Sequence, residues 1–188
     1  MSQQELLIRV VRVLEGCSIE YMVTGSVASS LQGEPRSTHD LDLVVELRQS
    51  AVSALVDAFP SPEFYFSKEA VHEAVACGSM VNLLATQEGD KVDFWMLTDT
   101  PFDRSRFARR LTEEVFGIAL RVSTPEDTIL AKLSWAERSG GSEKHFLDAV
   151  RVYEVQRAKL DESYLDTWAE KLDVVPLLTR LRSEAEPD

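Results

Sequence analysis

Two carboxylates spaced one residue apart, Asp40 and Asp42, are the clearest candidates for chemistry in this sequence. They open an apolar run, residues 41–47, that is typical of a β-strand buried on both faces. On a strand both carboxylates point to one face, about 6–7 Å apart along the chain, and repel each other unless a cation lies between them. Oxygen ligands favour Mg²⁺ or Mn²⁺ over zinc. The pair predicts a divalent metal site, although an Asp-x-Asp also fits a loop or a helix cap.

A small-residue turn, Gly25-Ser26, precedes these carboxylates by thirteen intervening residues. The β-rich run 19–24 leads into it, and we expect a short helix over residues 27–31 with Ser26 as its N-cap. A glycine lets a phosphate approach the backbone, and a helix N-terminus with a serine hydroxyl can donate hydrogen bonds to it. The turn is a candidate phosphate cradle, although a glycine before a Ser-capped helix is also common in purely structural roles.

A third carboxylate, Asp93, lies inside an otherwise apolar run. Residues 80–86 and 91–97 are β-type segments separated by a turn at 87–90, which is the pattern of a hairpin. An ionised carboxylate in such a strand needs a partner or a metal. Together, the Gly-Ser turn, Asp40, Asp42 and Asp93 predict one arrangement, a phosphate cradle with three carboxylates.

The remaining periodicity supplies the elements that would position these residues. Amphipathic helices are expected over 3–15, 48–59 and 69–76, with an edge strand at 64–66. From Ser123 the composition changes: Thr124 and Pro125 start a helix over 125–137, and further helices follow at 143–157, 161–172 and 174–183. We predict an α/β core over residues 1–122 and an α-helical C-terminal subdomain over residues 123–188.

Composition narrows the function classes. The formal net charge of −12 argues against binding duplex DNA through a broad surface. No apolar run approaches the roughly 20 residues of a membrane span, and the N-terminus lacks a signal-peptide pattern, so we expect a cytoplasmic protein with no membrane partner. Cys17 and Cys77 are interpreted as reduced thiols. Residues 104–110 carry four arginines, which either form a solvated helix face or contact RNA.

The motifs resemble those of a known family. Gly25-Ser26, the segment Arg36-x-Thr38-x-Asp40-x-Asp42-Leu43 and Asp93 are similar to the signature of the DNA polymerase beta-like nucleotidyltransferase superfamily. Within it, residues 21–45, residues 125–132 and Lys144-x-x-x-Asp148 resemble the abortive-infection type nucleotidyltransferases, whose members include toxins of toxin-antitoxin pairs.

This resemblance implies a nucleotidyltransferase-type mixed β-sheet flanked by helices and followed by a helical region. It also implies transfer of a nucleoside monophosphate from an NTP to a hydroxyl, with Mg²⁺ or Mn²⁺ held by Asp40, Asp42 and Asp93. Lys132 joins these three as a catalytic residue. The implied nucleotide-binding residues are Gly25, Ser26, Arg36, Thr38, Lys132, Lys144 and Asp148. Lys144 and Asp148 fit equally well an exposed ion pair one helical turn apart, and Lys132 a solvated lysine.

Three functions remain open at this point. The first is a toxin-like enzyme that modifies tRNA or a protein and has a possible cognate antitoxin. The second is an enzyme of the same chemistry that modifies a small cationic molecule such as an aminoglycoside, which suits the acidic balance of the chain. The third is a non-catalytic, nucleotide-binding or antitoxin-like partner that keeps the fold.

Overall fold

The structure is a computed structural model that describes residues 1–35 and 40–185. Two of the predicted nucleotide-binding residues, Arg36 and Thr38, lie outside the described residues. The chain forms two compact units. The first contains residues 1–24 and 40–122, and the second contains residues 25–35 and 123–185.

All the described strands belong to the first unit and form one mixed sheet. In chain order they are β1 (Glu20–Thr24), β2 (Asp40–Glu46), β3 (Phe64–Tyr65), β4 (Met80–Ala85), β5 (Lys91–Met96), β6 (Leu111–Val115) and β7 (Ile118–Val122). Their order across the sheet is β3-β4-β5-β2-β1-β7-β6. The β2–β5 and β1–β7 pairs are parallel and the other pairs are antiparallel.

The helices are divided between the two units. The first unit has α1 (Gln3–Gly16), α3 (Val52–Asp57), α4 (Lys68–Cys77) and α5 (Pro101–Arg109), and the second has α2 (Gly25–Gln32), α6 (Pro125–Arg138), α7 (Glu143–Gln156), α8 (Glu162–Lys171) and α9 (Val175–Glu184). Among the described residues, no helix combines the length and the apolar character that a membrane crossing requires. The predicted fold class, a mixed sheet flanked by helices with a helical C-terminal region, is confirmed.

Helix α1 follows directly from its sequence pattern. Ser2 accepts a hydrogen bond from the backbone N–H of Glu5 and the Glu5 side chain accepts one from Ser2, which completes a capping box. The apolar positions of the helix are all buried: Leu6, Leu7, Val10, Val11 and Leu14. The predicted amphipathic helix is therefore confirmed, with its apolar stripe in the core of the first unit.

Strand β2 differs from its prediction on one face. Leu41, Leu43 and Val45 are fully buried, as expected for a central strand. On the opposite face, however, Asp40 is exposed and Asp42 is partly buried. The expectation of burial on both faces is therefore wrong for the first half of β2, where the two carboxylates lie on a face open to solvent.

The hairpin of β6 and β7 was not predicted. Its two turn residues, Phe116 and Gly117, both have left-handed backbones, with φ of 55° and 74°. Two successive positive φ angles suit the right-handed twist of a hairpin. In the sequence, this hairpin is indicated by a glycine, Gly117, between two β-type runs. The hairpin extends the sheet because β7 pairs with β1 through Val122 and Val23.

In the second unit, α2 packs against α6 and α7. A Cβ atom at Gly33, just beyond α2, would lie only 3.0 Å from the backbone nitrogen of Val152 and 3.1 Å from the carbonyl carbon of Arg151. The Gln32 side chain donates a 2.5 Å hydrogen bond to the backbone oxygen of Ser123, and Gln156 donates one of 2.8 Å to the backbone oxygen of Gln32. These contacts fix the end of α2 within the helical unit.

Candidate functional site

Strands β2 and β5 bring the three predicted carboxylates onto one face of the sheet. In their parallel register Asp42 is the direct neighbour of Asp93, and Asp40 is the direct neighbour of Lys91. Register neighbours share a face, and so do residues two apart on one strand. Asp40, Asp42 and Asp93 therefore project from the same side of two adjacent strands. The other side of both strands belongs to the apolar core, with Leu43 and Phe94 fully buried.

Asp93 is the most buried of the three carboxylates, with 7 % of its surface exposed. It accepts a hydrogen bond from the side-chain amide of Asn82, its register neighbour on β4. Its other oxygen lies 3.0 Å from the Lys91 ammonium. A buried carboxylate is costly unless it is paired and hydrogen-bonded, and these two contacts satisfy that need.

Lys91 joins two of the carboxylates. Besides its contact with Asp93, its ammonium nitrogen lies 3.5 Å from Oδ1 of Asp40. The hydrogen bond to Asp93 raises the pKa of Lys91 against the opposing effect of burial, and the charges of Asp93 and Asp40 raise it further. The sequence interpretation missed Lys91, because a lysine at the start of a strand is usually a solvated residue.

Asp42 is oriented from β5 by Trp95. The indole nitrogen of Trp95 donates a 3.3 Å hydrogen bond to Oδ1 of Asp42. The ring also packs against the apolar cluster of Met22, Val44 and Phe107. Trp95 is partly buried, and Asp42 provides the acceptor that its N–H needs there. Trp95 thus links the apolar cluster to a carboxylate of the site.

The donor set of this face suits a hard cation. Its ligand atoms are carboxylate oxygens on adjacent strands, the type that Mg²⁺ and Mn²⁺ prefer. As arranged, however, residues 1–35 and 40–185 contain no group of three or more His, Cys, Asp or Glu side chains placed to hold a metal. In this arrangement the positive charge between Asp40 and Asp93 comes from Lys91. The predicted metal ligands therefore lie on one face and have the oxygen donors that these metals prefer. Two of them, Asp40 and Asp93, form ion pairs with Lys91.

In the second unit, Lys132 on α6 and Asp148 on α7 form a buried ion pair. Their charged atoms are 2.7 Å apart, and each side chain is only 6 % exposed. Lys144, one turn before Asp148, is exposed. All three residues were predicted to bind nucleotide, but the pairing of Lys132 with Asp148 was not predicted. No local spacing pointed to that pair, because the packing of α6 against α7 creates it.

The start of α2 differs from its prediction. The helix begins at Gly25, so Ser26 lies in its first turn and not at the N-cap position. Gly25 has a left-handed backbone, with φ of 62°, which lets β1 lead into the helix without an intervening loop. The backbone oxygen of Ser26 accepts a 3.1 Å hydrogen bond from the Ser29 hydroxyl. The helix thus begins two residues before the predicted start at residue 27.

A buried polar network fixes the N-terminus of α6. Thr124 caps the helix, and its hydroxyl also donates a 2.8 Å hydrogen bond to Asp127. The Tyr164 hydroxyl donates to the other Asp127 oxygen at 2.7 Å. Glu126 accepts a 3.0 Å bond from the backbone of Asp161. The cap was predicted; the contacts with α8 were not, because they join residues far apart in the sequence.

The arginine-rich segment 104–110 is extensively paired with acids. Arg104 contacts Asp99 at 2.6 Å and Glu46 at 2.9 Å. Arg106 pairs with Asp103 at 2.8 Å, and Arg110 with Glu20. The carboxylate partners of Arg104, Arg106 and Arg110 lower the positive potential that this segment can offer to RNA.

Solved structures with a similar fold have been found, although no protein-family model matches the chain and no curated protein matches its sequence. An antigenic nucleotidyltransferase-like protein from Paracoccidioides brasiliensis aligns with a TM-score of 0.55 and 18% identity, over 96% of this chain and 93% of that one. The fold is nucleotidyltransferase-like. A crystal structure of ANT(2'')-Ia in complex with adenylyl-2''-tobramycin aligns with a TM-score of 0.54 and 14% identity, over 99% of this chain and 100% of that one.

A solution structure of the antibiotic-resistance factor ANT(2'')-Ia supports the same assignment, with a TM-score of 0.52 and 15% identity over 97% of this chain and 94% of that one. At these identities the likeness concerns the nucleotidyltransferase-like fold alone. The closer resemblance to abortive-infection type nucleotidyltransferases stays a prediction.

Proposed function

We propose that this protein is a nucleotidyltransferase that moves a nucleoside monophosphate from an NTP to a hydroxyl acceptor and depends on a divalent metal. The observation that carries the proposal is the facing pair of Asp42 and Asp93, with Asp40 on the same side of the sheet. Three carboxylates on one face repel one another, and Lys91 offsets only one of their three charges, which leaves two negative charges for a divalent cation to offset.

Asp40, Asp42 and Asp93 would hold Mg²⁺ or Mn²⁺. When bound, such a metal neutralises phosphate charge and makes the attacking hydroxyl more acidic. The protein's own contribution is positioning, which dominates phosphoryl-transfer catalysis. Asn82 holds Asp93 and Trp95 holds Asp42, so two of the three carboxylates have fixed orientations. Asp93 would accept the proton of the acceptor hydroxyl.

Residues of the second unit are proposed to bind the nucleotide. Gly25 has the backbone conformation that allows close approach of a phosphate, and Ser26 follows it in the first turn of α2. Lys144 is exposed and needs no rearrangement to meet an anion. Lys132 would have to exchange the Asp148 carboxylate for a phosphate, because the two are paired and buried.

Pyrophosphate release tests the proposed activity. The purified protein, incubated with each NTP, Mg²⁺ and either total cellular RNA, cell lysate or a panel of aminoglycosides, is expected to release pyrophosphate and to label one acceptor class. Asp42→Asn should abolish both signals. Asp57→Asn, which removes an exposed carboxylate at the end of α3, is the matched control and should leave them unchanged. Transfer that survives Asp42→Asn would contradict the proposal.

Two acceptor classes are proposed, and the same assay separates them. If the acceptor is a tRNA or a protein, we propose that the enzyme is toxin-like and has a cognate antitoxin. Expression of the wild-type protein should then arrest growth, whereas Asp42→Asn should not. Label confined to the aminoglycosides, with normal growth, would contradict that role.

A small cationic acceptor is the second candidate, and charge favours it. The net charge of −12 attracts cations, and three arginines of segment 104–110 already have acidic partners. ANT(2'')-Ia, whose fold this chain shares, has been crystallised with adenylyl-2''-tobramycin. If an aminoglycoside is labelled, its apparent KM should rise with salt, because the attraction is screened.

A further inference from the structure

We propose that Lys91 is a resident cation that competes with the divalent metal for Asp40 and Asp93 and thereby lowers the metal affinity of the site. This inference rests on the proposed function, since it concerns the same carboxylates. It assigns a role to a residue that the reaction itself does not require.

The geometry of Lys91 is that of a bridging cation. Its ammonium nitrogen lies 3.0 Å from Oδ2 of Asp93 and 3.5 Å from Oδ1 of Asp40. The two carboxylates come from different strands, β5 and β2, and Lys91 is the register neighbour of Asp40. A divalent metal held between Asp40 and Asp93 would take the position beside these oxygen atoms that the Lys91 ammonium now occupies. The ammonium and the metal therefore compete for these atoms.

The charge on this face explains why a lysine is stable there. Three carboxylates and one ammonium leave two net negative charges, which a divalent cation would neutralise. Without Lys91 the face would carry three negative charges in the free protein. The lysine thus stabilises the metal-free state and at the same time weakens the attraction for a metal.

Lys91 can leave while the carboxylates stay in place. It is the first residue of β5, follows the turn at residues 87–90 and keeps 35 % of its side chain exposed. Its flexible four-carbon stem allows the ammonium to move into solvent without a change in the backbone. Asp93 is still held by Asn82, and Asp42 by Trp95. The Lys91 ammonium can therefore leave the two carboxylates by a rotamer change of its own side chain.

Metal titrations test this competition directly. Mn²⁺ binding is measured by electron paramagnetic resonance for the wild-type protein and for Lys91→Met, Lys91→Gln and Lys91→Arg, without nucleotide or acceptor. We expect Lys91→Met and Lys91→Gln to bind Mn²⁺ about tenfold more tightly than wild type, and Lys91→Arg, which keeps the charge, to bind no more tightly than wild type. Lys68→Met removes a lysine charge from α4 and should bind like wild type.

The outcomes separate this inference from the proposed function. Equal Mn²⁺ affinity of wild type, Lys91→Met and Lys91→Gln would overturn the competition and leave the proposed metal site intact. Weaker binding by the two neutral variants would also overturn it. Binding by the neutral variants alone would support the role of Lys91 and contradict a metal-dependent wild-type enzyme. Absence of binding in every protein would overturn both. Circular dichroism in EDTA checks folding, and Lys91→Gln replaces Lys91→Met if the latter does not fold.

Discussion

Asp42 on β2 and Asp93 on β5 are direct neighbours across a parallel strand pair, with their side chains on one face of the sheet. Two carboxylates this close repel each other, so their placement lowers the stability of the metal-free protein. Asn82 donates a hydrogen bond to Asp93 and Trp95 donates one to Asp42, so each acid has its own donor. The pair thus destabilises the free protein and at the same time creates a place where a cation can bind. Residues that lower stability in this way are typical of functional sites.

Asp42→Asn should separate stability from activity. The substitution removes one negative charge of the facing pair and keeps an oxygen to accept the Trp95 hydrogen bond. We expect the midpoint of thermal unfolding to stay the same or to rise, and pyrophosphate release to fall at least about a hundredfold. Calorimetry in EDTA and the pyrophosphate assay measure the two effects. A variant that loses stability along with its activity would indicate that Asp42 is structural.

The buried ion pair of Lys132 and Asp148 should behave differently when one partner or both are removed. Lys132→Met leaves a buried carboxylate without its 2.7 Å partner and should lower the free energy of unfolding by about 3–5 kcal/mol. Lys132→Met combined with Asp148→Leu should recover much of that loss. Urea unfolding measures both. The exposed Lys144→Met is the control and should change little. Additive losses in the double variant would contradict the pairing.

Gly33→Ala should destabilise the second unit. The added Cβ would meet the backbone of Val152 at 3.0 Å and of Arg151 at 3.1 Å, and backbone atoms cannot move aside cheaply. We expect a loss of about 1–3 kcal/mol in the free energy of unfolding. Gly16→Ala, at the end of α1, has nothing within 4 Å of the new Cβ and should stabilise by about 0.4–1 kcal/mol. Equal effects of the two substitutions would show that the close approach is unimportant.

Tyr21 should make stability depend on alkaline pH. Burial raises the pKa of Tyr21, against the smaller opposing effect of the hydrogen bond from the Arg121 backbone. The folded protein therefore keeps this proton at a pH where the unfolded chain, with a pKa of about 10, has lost it. The resulting stability is present below pH about 10 and is lost as the pH rises through the raised pKa.

Tyr21→Phe isolates this effect. At neutral pH the variant should lose about 1 kcal/mol, because the Arg121 backbone N–H loses its acceptor. As the pH rises past 10 the difference should shrink and then favour phenylalanine, which cannot ionise. Urea unfolding at a series of pH values measures this difference in the free energy of unfolding. The other tyrosines are present in both proteins, so their ionisation does not contribute to the difference. A constant difference across the series would mean that the pKa of Tyr21 is not raised.

The local features of this fold were predictable, and the features that depend on packing were not. The capping box and the amphipathic stripe of α1 and the hairpin of β4 and β5 each depend on residues close together in the sequence, so periodicity and turn chemistry can predict them. The β6–β7 hairpin was missed because its turn, Phe116-Gly117, lacks the usual Asn-Gly or Asp-Gly sequence.

The candidate site follows the same division. Asp40, Asp42 and Asp93 stood out because acids are unusual in apolar strands. Lys91 and Trp95 did not, because their roles come from the register between β2 and β5, which joins residues about fifty positions apart. The pairing of Lys132 with Asp148 likewise depends on the packing of α6 against α7. Residue types thus indicate a candidate ligand, whereas its neighbours emerge only with the tertiary structure.

The two strands at the ends of the sheet also bear on solubility. An end strand offers unpaired backbone groups to which a strand of another molecule can add. Here β3 is only two residues long, and β6 carries Glu113 and Glu114 in its centre. A short strand gives an incoming chain little to pair with, and adjacent negative charges repel a second copy of this acidic protein. The sheet is therefore protected against edge-to-edge aggregation at both of its ends, by brevity at one and by charge at the other.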